Sequence, residues 1–294
     1  MKKFFLLFIV IFFFSDIVLS QERLPSVDPE KSNDLGWYVG LDFGLYLANK
    51  STAMYFNGSE SNENKISYVL KNKYWYEDIS RELNLADTII LNELPSNMKY
   101  SSAVTLGFYA KNQFNKTTNV FFQFNYTKLV ASDFFSVEID PAFNYLTEPD
   151  IRLYSIYGSE IRYNIDIGLS KTFGHKEKLK YFAEAGLNIN NTKVVESKIQ
   201  IESLEYSLVN IYLNQNYVPN TNLVEYAIDQ GGVGYGAFLN GGLKLIFSEK
   251  VSFDLGASLY YKTINLEPYD NFNIHYCFFL RMVFKFNSEL DSEL

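Results

Sequence analysis

The sequence predicts an all-β protein, a transmembrane antiparallel up-and-down β-barrel of eight strands. Three observations lead to this fold class. Segments that alternate with a period of two residues recur along the chain, each has one face of large apolar residues, and short connections alternate with long ones. A soluble β-sandwich also has alternating strands, but nothing in that fold sorts loops by length or places Leu and Phe on the outer faces.

The N-terminus has the features of a secretory signal peptide. The letters "MKK" precede an apolar run, and small residues precede a cleavage position at Gln21. An uncleaved membrane anchor is the alternative, but Ser15 and Asp16 interrupt the run, which is short for a membrane span. We therefore expect residues 1–20 to be removed, which leaves residues 21–35 as a segment before the barrel.

The first strand is predicted over residues 36–47, where "GWYVGLDFGLYL" alternates almost without error. Trp37 and Leu41 fall on one face, and Asp42 and Gly44 fall on the other. Seven further segments repeat this pattern, with Leu, Ile, Phe and Tyr on one face and Gly, Asn and charged residues on the other. They lie near residues 100–111, 119–131, 157–173, 181–190, 233–247, 251–262 and 274–286.

The connections between these segments alternate in length. Short turns follow the second, fourth and sixth strands, and longer connections follow the others, so that short and long connections lie at opposite ends. Aromatic residues lie near both ends of the outward faces, where an amphipathic ring can sit at a membrane interface. The predicted aromatic girdle consists of Trp37, Tyr126, Tyr163, Phe173, Tyr181, Phe247, Tyr261 and Phe286.

Charged residues occupy the inward faces and are predicted to interlock. Asp42 and Arg281 have matching heights on the first and last strands, which are neighbours in a closed barrel, so a pair across this seam is expected. Isolated charges in a narrow interior are expensive, whereas paired charges are tolerated. A wet pore is the alternative. The predicted lumen charge network consists of Asp42, Arg162, Asp166, Glu184, Lys244, Asp254, Arg281 and Lys285.

Two of the long connections have patterns of their own. In residues 49–99, Trp75, Ile79 and Leu83 recur every fourth residue, which predicts a short amphipathic helix. We interpret it as a lid over the barrel mouth, with a partner-binding helix as the alternative. Residues 191–230 alternate, which predicts either that the flanking strands continue beyond the membrane or that an extra hairpin forms. A hairpin inside the membrane would raise the strand count to ten.

These features together resemble the small outer-membrane β-barrel proteins of Gram-negative bacteria. The resemblance is one of porin-like architecture and covers residues 36–286. It implies a location in the outer membrane, extracellular long loops and periplasmic short turns, with residues 21–35 and the tail 287–294 in the periplasm. Chains of this family commonly end on an aromatic residue, whereas here Phe286 is followed by "NSELDSEL".

Composition argues against several classes of function. The formal net charge is -8, so a nucleic-acid partner is not expected. The single cysteine, Cys277, cannot form an intramolecular disulfide, and with two histidines it does not supply a closed metal site. The "GGVGYG" at residues 231–236 lacks the lysine of a phosphate loop. We predict no catalytic residue, no cofactor site and no metal site.

The sequence therefore predicts a non-catalytic, monomeric outer-membrane barrel with a filled polar lumen. Its role is structural or binding, through large extracellular loops, with outer-membrane lipid around it and a protein or small ligand as partner. Two alternatives remain open. One is a hydrolase or acyl-transfer barrel with a rim site near His275, and the other is a narrow channel for small solutes.

Overall fold

The computed structural model describes residues 36–84, 88–115, 117–140, 150–174, 176, 178–248 and 250–286. The predicted signal peptide, the predicted segment 21–35 and the predicted tail 287–294 lie outside the described residues. In the described part of the chain, no helix has the length and apolar character needed to cross a membrane.

The structure is built mainly from antiparallel strands. The strands are β1 (Gly36–Leu47), β2 (Thr88–Glu93), β3 (Ala103–Gln113), β4 (Thr118–Asp140), β5 (Asp150–Phe173), β6 (Leu179–Ile201), β7 (Leu204–Ser207), β8 (Gly231–Ile246), β9 (Val251–Lys262) and β10 (Asn273–Lys285). The helices are α1 (Lys50–Ala53), α2 (Ile66–Leu70) and α3 (Lys73–Glu82), with a 3-10 turn at Met54–Phe56.

Among the described strands, eight close into a ring in the order β1, β3, β4, β5, β6, β8, β9, β10. The ring closes through β10 and β1, where Arg281 lies opposite Asp42. The predicted eight-stranded up-and-down barrel is confirmed. The other two strands lie outside the ring. β2 pairs with the C-terminal part of β4, and β7 pairs with the C-terminal part of β6.

The barrel wall is apolar outside and largely polar inside. On β1, Leu41, Phe43 and Leu45 are exposed on the outer face, whereas Asp42 and Tyr46 are buried on the inner face. The same alternation continues around the ring. An outer face of this kind requires lipid, and a closed ring leaves no unpaired strand edge in it.

The two ends of the barrel differ as the sequence predicts. The turns from β3 to β4, from β5 to β6 and from β8 to β9 are short and lie at the end that holds Gly36 and Phe286. The longer connections lie at the opposite end. The chain is an outer-membrane barrel, and in such barrels the short turns face the periplasm. Gly36 and Phe286 lie at the same end as the short turns, so the first strand begins and the last strand ends on the periplasmic side.

Three strands are longer than the sequence pattern predicts. β4 continues to Asp140, β5 begins at Asp150 and β6 continues to Ile201, all beyond the predicted limits. Buried apolar residues of these extensions, such as Phe135, Ile156 and Ile199, belong to a second core above the barrel mouth. After β6 the chain folds back as β7, so a hairpin does form within residues 191–230, but outside the ring.

The part of the molecule above the mouth is a folded unit that we call the cap. It comprises residues 48–84, 88–102, 131–140, 150–159, 191–230 and 263–272. The predicted amphipathic helix is present as α3, and Ile79 and Leu83 are fully buried against the strand extensions. The buried cap core includes Tyr55, Phe56, Ile66, Val69, Ile79, Leu83, Met98, Phe135, Val137, Ile139, Ile156, Ile199, Ile201, Leu208 and Ile264.

Candidate functional site

Charges of alternating sign follow one another along a row of opposed residues on β8, β9, β10 and β1. Lys244 is opposite Asp254, Asp254 is opposite Arg281, and Arg281 is opposite Asp42. Lys244 Nζ lies 3.0 Å from Asp254 Oδ1, and Arg281 Nη1 lies 3.8 Å from Asp254 Oδ2. The strand register therefore brings these side chains together on the inner wall.

Arg281 also reaches β6, which is not adjacent to β10 in the ring. Its Nη1 lies 3.1 Å from Glu184 Oε1, and its guanidinium stacks 3.8 Å from the ring centroid of Tyr109. Glu184 accepts further hydrogen bonds from Tyr109 Oη and from Asn240 Nδ2. Since Arg281 and Glu184 are 0% and 2% exposed, this is a buried and well-coordinated ion pair that spans the lumen.

The contact between Asp42 and Arg281 is indirect. Gln123 Nε2 donates to Asp42 Oδ2, and Arg281 Nη2 donates to Gln123 Oε1 at 2.8 Å. No direct ion pair joins Asp42 and Arg281 in the described part of the barrel, which corrects the expectation from the sequence. The pattern of charged residues gives no signal for Gln123, because its inward side chain on β4 is a neutral amide.

Aromatic rings fill much of the space around these charges. Tyr109 and Phe121 have ring centroids 5.4 Å apart, and Phe121 and Phe238 have centroids 5.9 Å apart. Phe182 and Phe279 form a further contact at 6.2 Å. Aromatic rings therefore share the lumen with the charged groups, and Gly256 leaves room for the rings of Phe182 and Phe279.

A second cluster of charges lies at the mouth, where the barrel meets the cap. Arg162 Nε donates to Glu160 Oε1 at 2.5 Å, and Arg162 Nη2 donates to Thr52 Oγ1 at 3.0 Å. Tyr100 Oη donates to the other carboxylate oxygen of Glu160 at 3.1 Å. Thr52 belongs to α1, which lies in the first long connection (residues 49–99). This buried ion pair therefore links that connection to the barrel wall.

The remaining members of the predicted network have separate partners. Asp166 accepts from Asn188 Nδ2 at 2.6 Å and from Tyr260 Oη at 3.0 Å. Lys262, a further inward charge on β9, donates to Asn164 and lies 4.5 Å from the ring centroid of Tyr260. Lys285 lies opposite Tyr38, at the periplasmic end of β10.

His275, the candidate for a rim-site base, is enclosed. Its ring is 0% exposed, and its Nδ1 accepts from the backbone N–H of Asn49 at 3.0 Å. The remaining proton of a neutral ring therefore lies on Nε2, which has no hydrogen-bond partner among the described residues. Tyr260 is the residue opposite His275 on β9, but its hydroxyl donates to Asp166 instead.

The predicted girdle residues lie on the outer face of the barrel at its two ends. At the periplasmic end, Trp37, Phe173, Tyr181, Phe247 and Phe286 are exposed. At the cap end, Tyr126 and Tyr163 are in contact, with ring centroids 5.6 Å apart, and Tyr261 is exposed on β9. Rings at these two levels are suited to the two lipid interfaces.

The described residues bring no group of three His, Cys, Asp or Glu side chains together as metal ligands. Cys277 is buried and unpaired on the inner face of β10.

No family model matches this chain, and no curated protein sequence matches it. Among solved structures, Neisserial surface protein A is similar over 85% of this chain and 97% of that chain, with 12% identity and a TM-score of 0.43. OprG from Pseudomonas aeruginosa is similar over 87% and 98%, with 10% identity and a TM-score of 0.39. Ail of Yersinia pestis, in complex with the heparin analogue sucrose octasulfate, is similar over 86% and 100%, with 9% identity and a TM-score of 0.35. The location of the chain in a membrane follows from the apolar outer face of its barrel.

Proposed function

We propose that this protein is a non-conducting, non-catalytic and monomeric outer-membrane barrel that anchors a folded cap, through which it binds an extracellular partner. The observation that carries the proposal is the filling of the lumen by the buried pair of Arg281 and Glu184, together with the rings packed around it.

The filled lumen argues against a channel. An eight-stranded barrel has an interior only wide enough for side chains. Arg162 and Arg281 are among the largest fully buried side chains, at two different levels of the lumen. A conducting path would require both guanidinium groups to leave their carboxylate partners, which leaves buried charges uncompensated.

The setting of His275 argues against a rim enzyme. A general base needs access to a substrate, whereas this ring is covered by the start of the first long connection and its Nδ1 is occupied by Asn49. The described contacts of His275 include no carboxylate and no serine that would complete a catalytic arrangement. The ring instead stacks on Tyr46, with centroids 6.0 Å apart, as a packing residue does.

The cap has the rigidity that a binding surface requires. The amides of Asn64 and Gln230 donate to each other at 3.0 Å in both directions, which joins the first long connection to the third. Ser203 Oγ donates to Glu82 Oε1 at 2.6 Å, which joins the hairpin of β6 and β7 to α3. A surface that is already ordered loses little conformational entropy on binding.

The test is conductance in planar bilayers, using the full-length protein refolded in detergent and checked by its heat-modifiable migration in gels. We expect no steady current, while a general porin in the same bilayers provides the positive control. Open conductance steps that are reproducible between preparations would overturn the proposal in favour of a channel.

A further inference from the structure

A cavity of about 390 Å³ opens at the surface of the cap, between the first and third long connections. One wall comes from residues 60–72, which include α2, and the other comes from residues 208–216. Its volume is at the small end of the range of ligand sites in proteins.

Aromatic contacts join the two segments that form the walls of the cavity. Tyr68, in the first wall, has its ring 5.5 Å from that of Trp75, and Trp75 stacks on Tyr217 at 5.5 Å with an interplanar angle of 23°. Tyr217 in turn contacts Tyr212, at 5.7 Å, in the second wall. The cavity is therefore part of the folded cap, and it does not depend on a chance approach of two loops.

The lining is rich in side-chain amides and nearly neutral. Two carboxylates, Glu60 and Glu63, are balanced by two ammonium groups, Lys65 and Lys71. Each amide offers both donors and acceptors, which suits groups that can also do both. The lining amides are Asn72, Asn210, Asn214, Gln215 and Asn216.

Two of these amides are held in place by each other and by one backbone N–H of the third long connection. Asn210 Nδ2 donates to Asn214 Oδ1 at 2.6 Å, and the backbone N–H of Asn214 donates to Asn210 Oδ1 at 3.1 Å. Asn214 has a left-handed φ of 64°, a conformation that Asn tolerates better than most residues. This turn presents the amides of Asn214 and Gln215 at the cavity.

We propose that this cavity binds a neutral carbohydrate, with its hydroxyls hydrogen-bonded by the lining amides. The inference deepens the proposed binding function and rests on it. The balanced charge disfavours a phosphate or sulfate ligand, which would require a cationic lining. The lining has a single aliphatic side chain, Leu208, which disfavours an apolar ligand.

The experiment uses the full-length Trp37→Phe protein in detergent, which leaves Trp75 as its single tryptophan, in contact with Tyr68. Lactose, maltotriose, mannotriose and the trimer of N-acetylglucosamine are the probes, with sucrose octasulfate as the anionic comparison. Trp75 fluorescence and saturation-transfer NMR report binding. We expect saturable binding of at least one neutral sugar at about 1 mM or below.

Two variants and one matched control then locate the site. Gln215→Ala removes an exposed lining amide, and Asn214→Gly removes the amide at a left-handed position; each should weaken the binding of the sugar about 3- to 10-fold. Asn220→Gly is the control, since Asn220 has a φ of 61° in the same connection but does not line the cavity. Its affinity for the sugar should be unchanged.

Binding of the octasulfate alone, or of no probe at about 1 mM, would overturn the inference. Sugar binding that all three variants weaken equally, or that none weakens, would do the same, because the site would then lie elsewhere or the loss would come from misfolding. None of these outcomes affects the conductance measured in planar bilayers, so that measurement tests the proposed function independently.

Discussion

The barrel lumen and the cap are two cores of opposite polarity in one chain. β5 passes through both, and its inward residues Asp166, Arg162 and Glu160 are charged in the lumen. On the N-terminal side of Gly158, where β5 belongs to the cap, its inward residues are the apolar Ile156 and Tyr154. The change takes place within a single strand and without any interruption of its pairing with β4.

The surroundings of each core explain this difference. In the membrane the outer face must be apolar, so alternation leaves polar residues for the inside, where they satisfy one another. Above the membrane, water surrounds the sheet, and an apolar inner face is stabilised by about 1.5–3 kcal/mol for each large side chain removed from water. The solvent outside the sheet, lipid or water, thus determines whether the inner face of the strand is polar or apolar. The backbone pairing of the strand is the same in both regions.

The largest effect is expected from breaking the lumen core at Arg281. Arg281→Met leaves Glu184 buried without its cation and should lower the free energy of unfolding by about 3–5 kcal/mol. Glu184→Gln should cost less, because Arg281 keeps Asp254 at 3.8 Å. Unfolding by urea in lipid vesicles measures each variant and the double variant.

The double variant should be more stable than the sum of the two single losses implies, since it removes both charges. Additive losses would mean that the two residues do not interact. Lys73→Met is the matched control, because it breaks the ion pair of Lys73 with Glu77, both exposed, on α3. We expect no measurable change in unfolding from it.

A second prediction compares two leucines with nearly equal exposure in different solvents. Leu187 on β6 is 70% exposed on the membrane face, and Leu153 on β5 is 71% exposed on the cap. Leu187→Arg places a charge in lipid and should cost about 2–4 kcal/mol, whereas Leu153→Arg places it in water and should cost about 0.5 kcal/mol or less. Refolding into vesicles measures both variants. Equal losses would contradict the level at which we place the membrane.

The smallest effect is expected at the junction of the two cores. A Cβ on Gly158 would lie 2.1 Å from ring atoms of Phe56, so Gly158→Ala must displace a ring of the cap core. We expect a loss of about 1–3 kcal/mol, confined to the cap. Faster proteolysis within residues 50–102, with unchanged heat-modifiable migration of the barrel, would sharpen the distinction between the cores. Loss of the barrel itself would show that they unfold as one.

Sequence reasoning predicted the elements that depend on local alternation. A period of two residues, such as Leu41 and Phe43 against Asp42 and Gly44, determines which side chains share a face. The strand count, the sorting of loops by length and the inward placement of Arg281 and Glu184 all follow from this period. The helix α3 was predictable for the same reason, because Ile79 and Leu83 are four residues apart.

Contacts between distant segments could not be predicted in this way. Alternation placed Arg281 opposite Asp42 but did not identify Gln123, which comes from β4 and joins them across the lumen. The extension of β4 to Asp140 also escaped prediction, because its pairing depends on a cap core assembled from segments far apart in the chain.

The sequence by itself therefore determined the strands, their faces and the membrane as the solvent of the barrel, because these depend on neighbours two residues apart. Only the tertiary structure decided the partners of each buried charge, the height of the strands above the mouth and the cavity between Tyr68 and Asn214. Those features depend on the register between strands and on the packing of loops, which bring residues together that are distant in the chain.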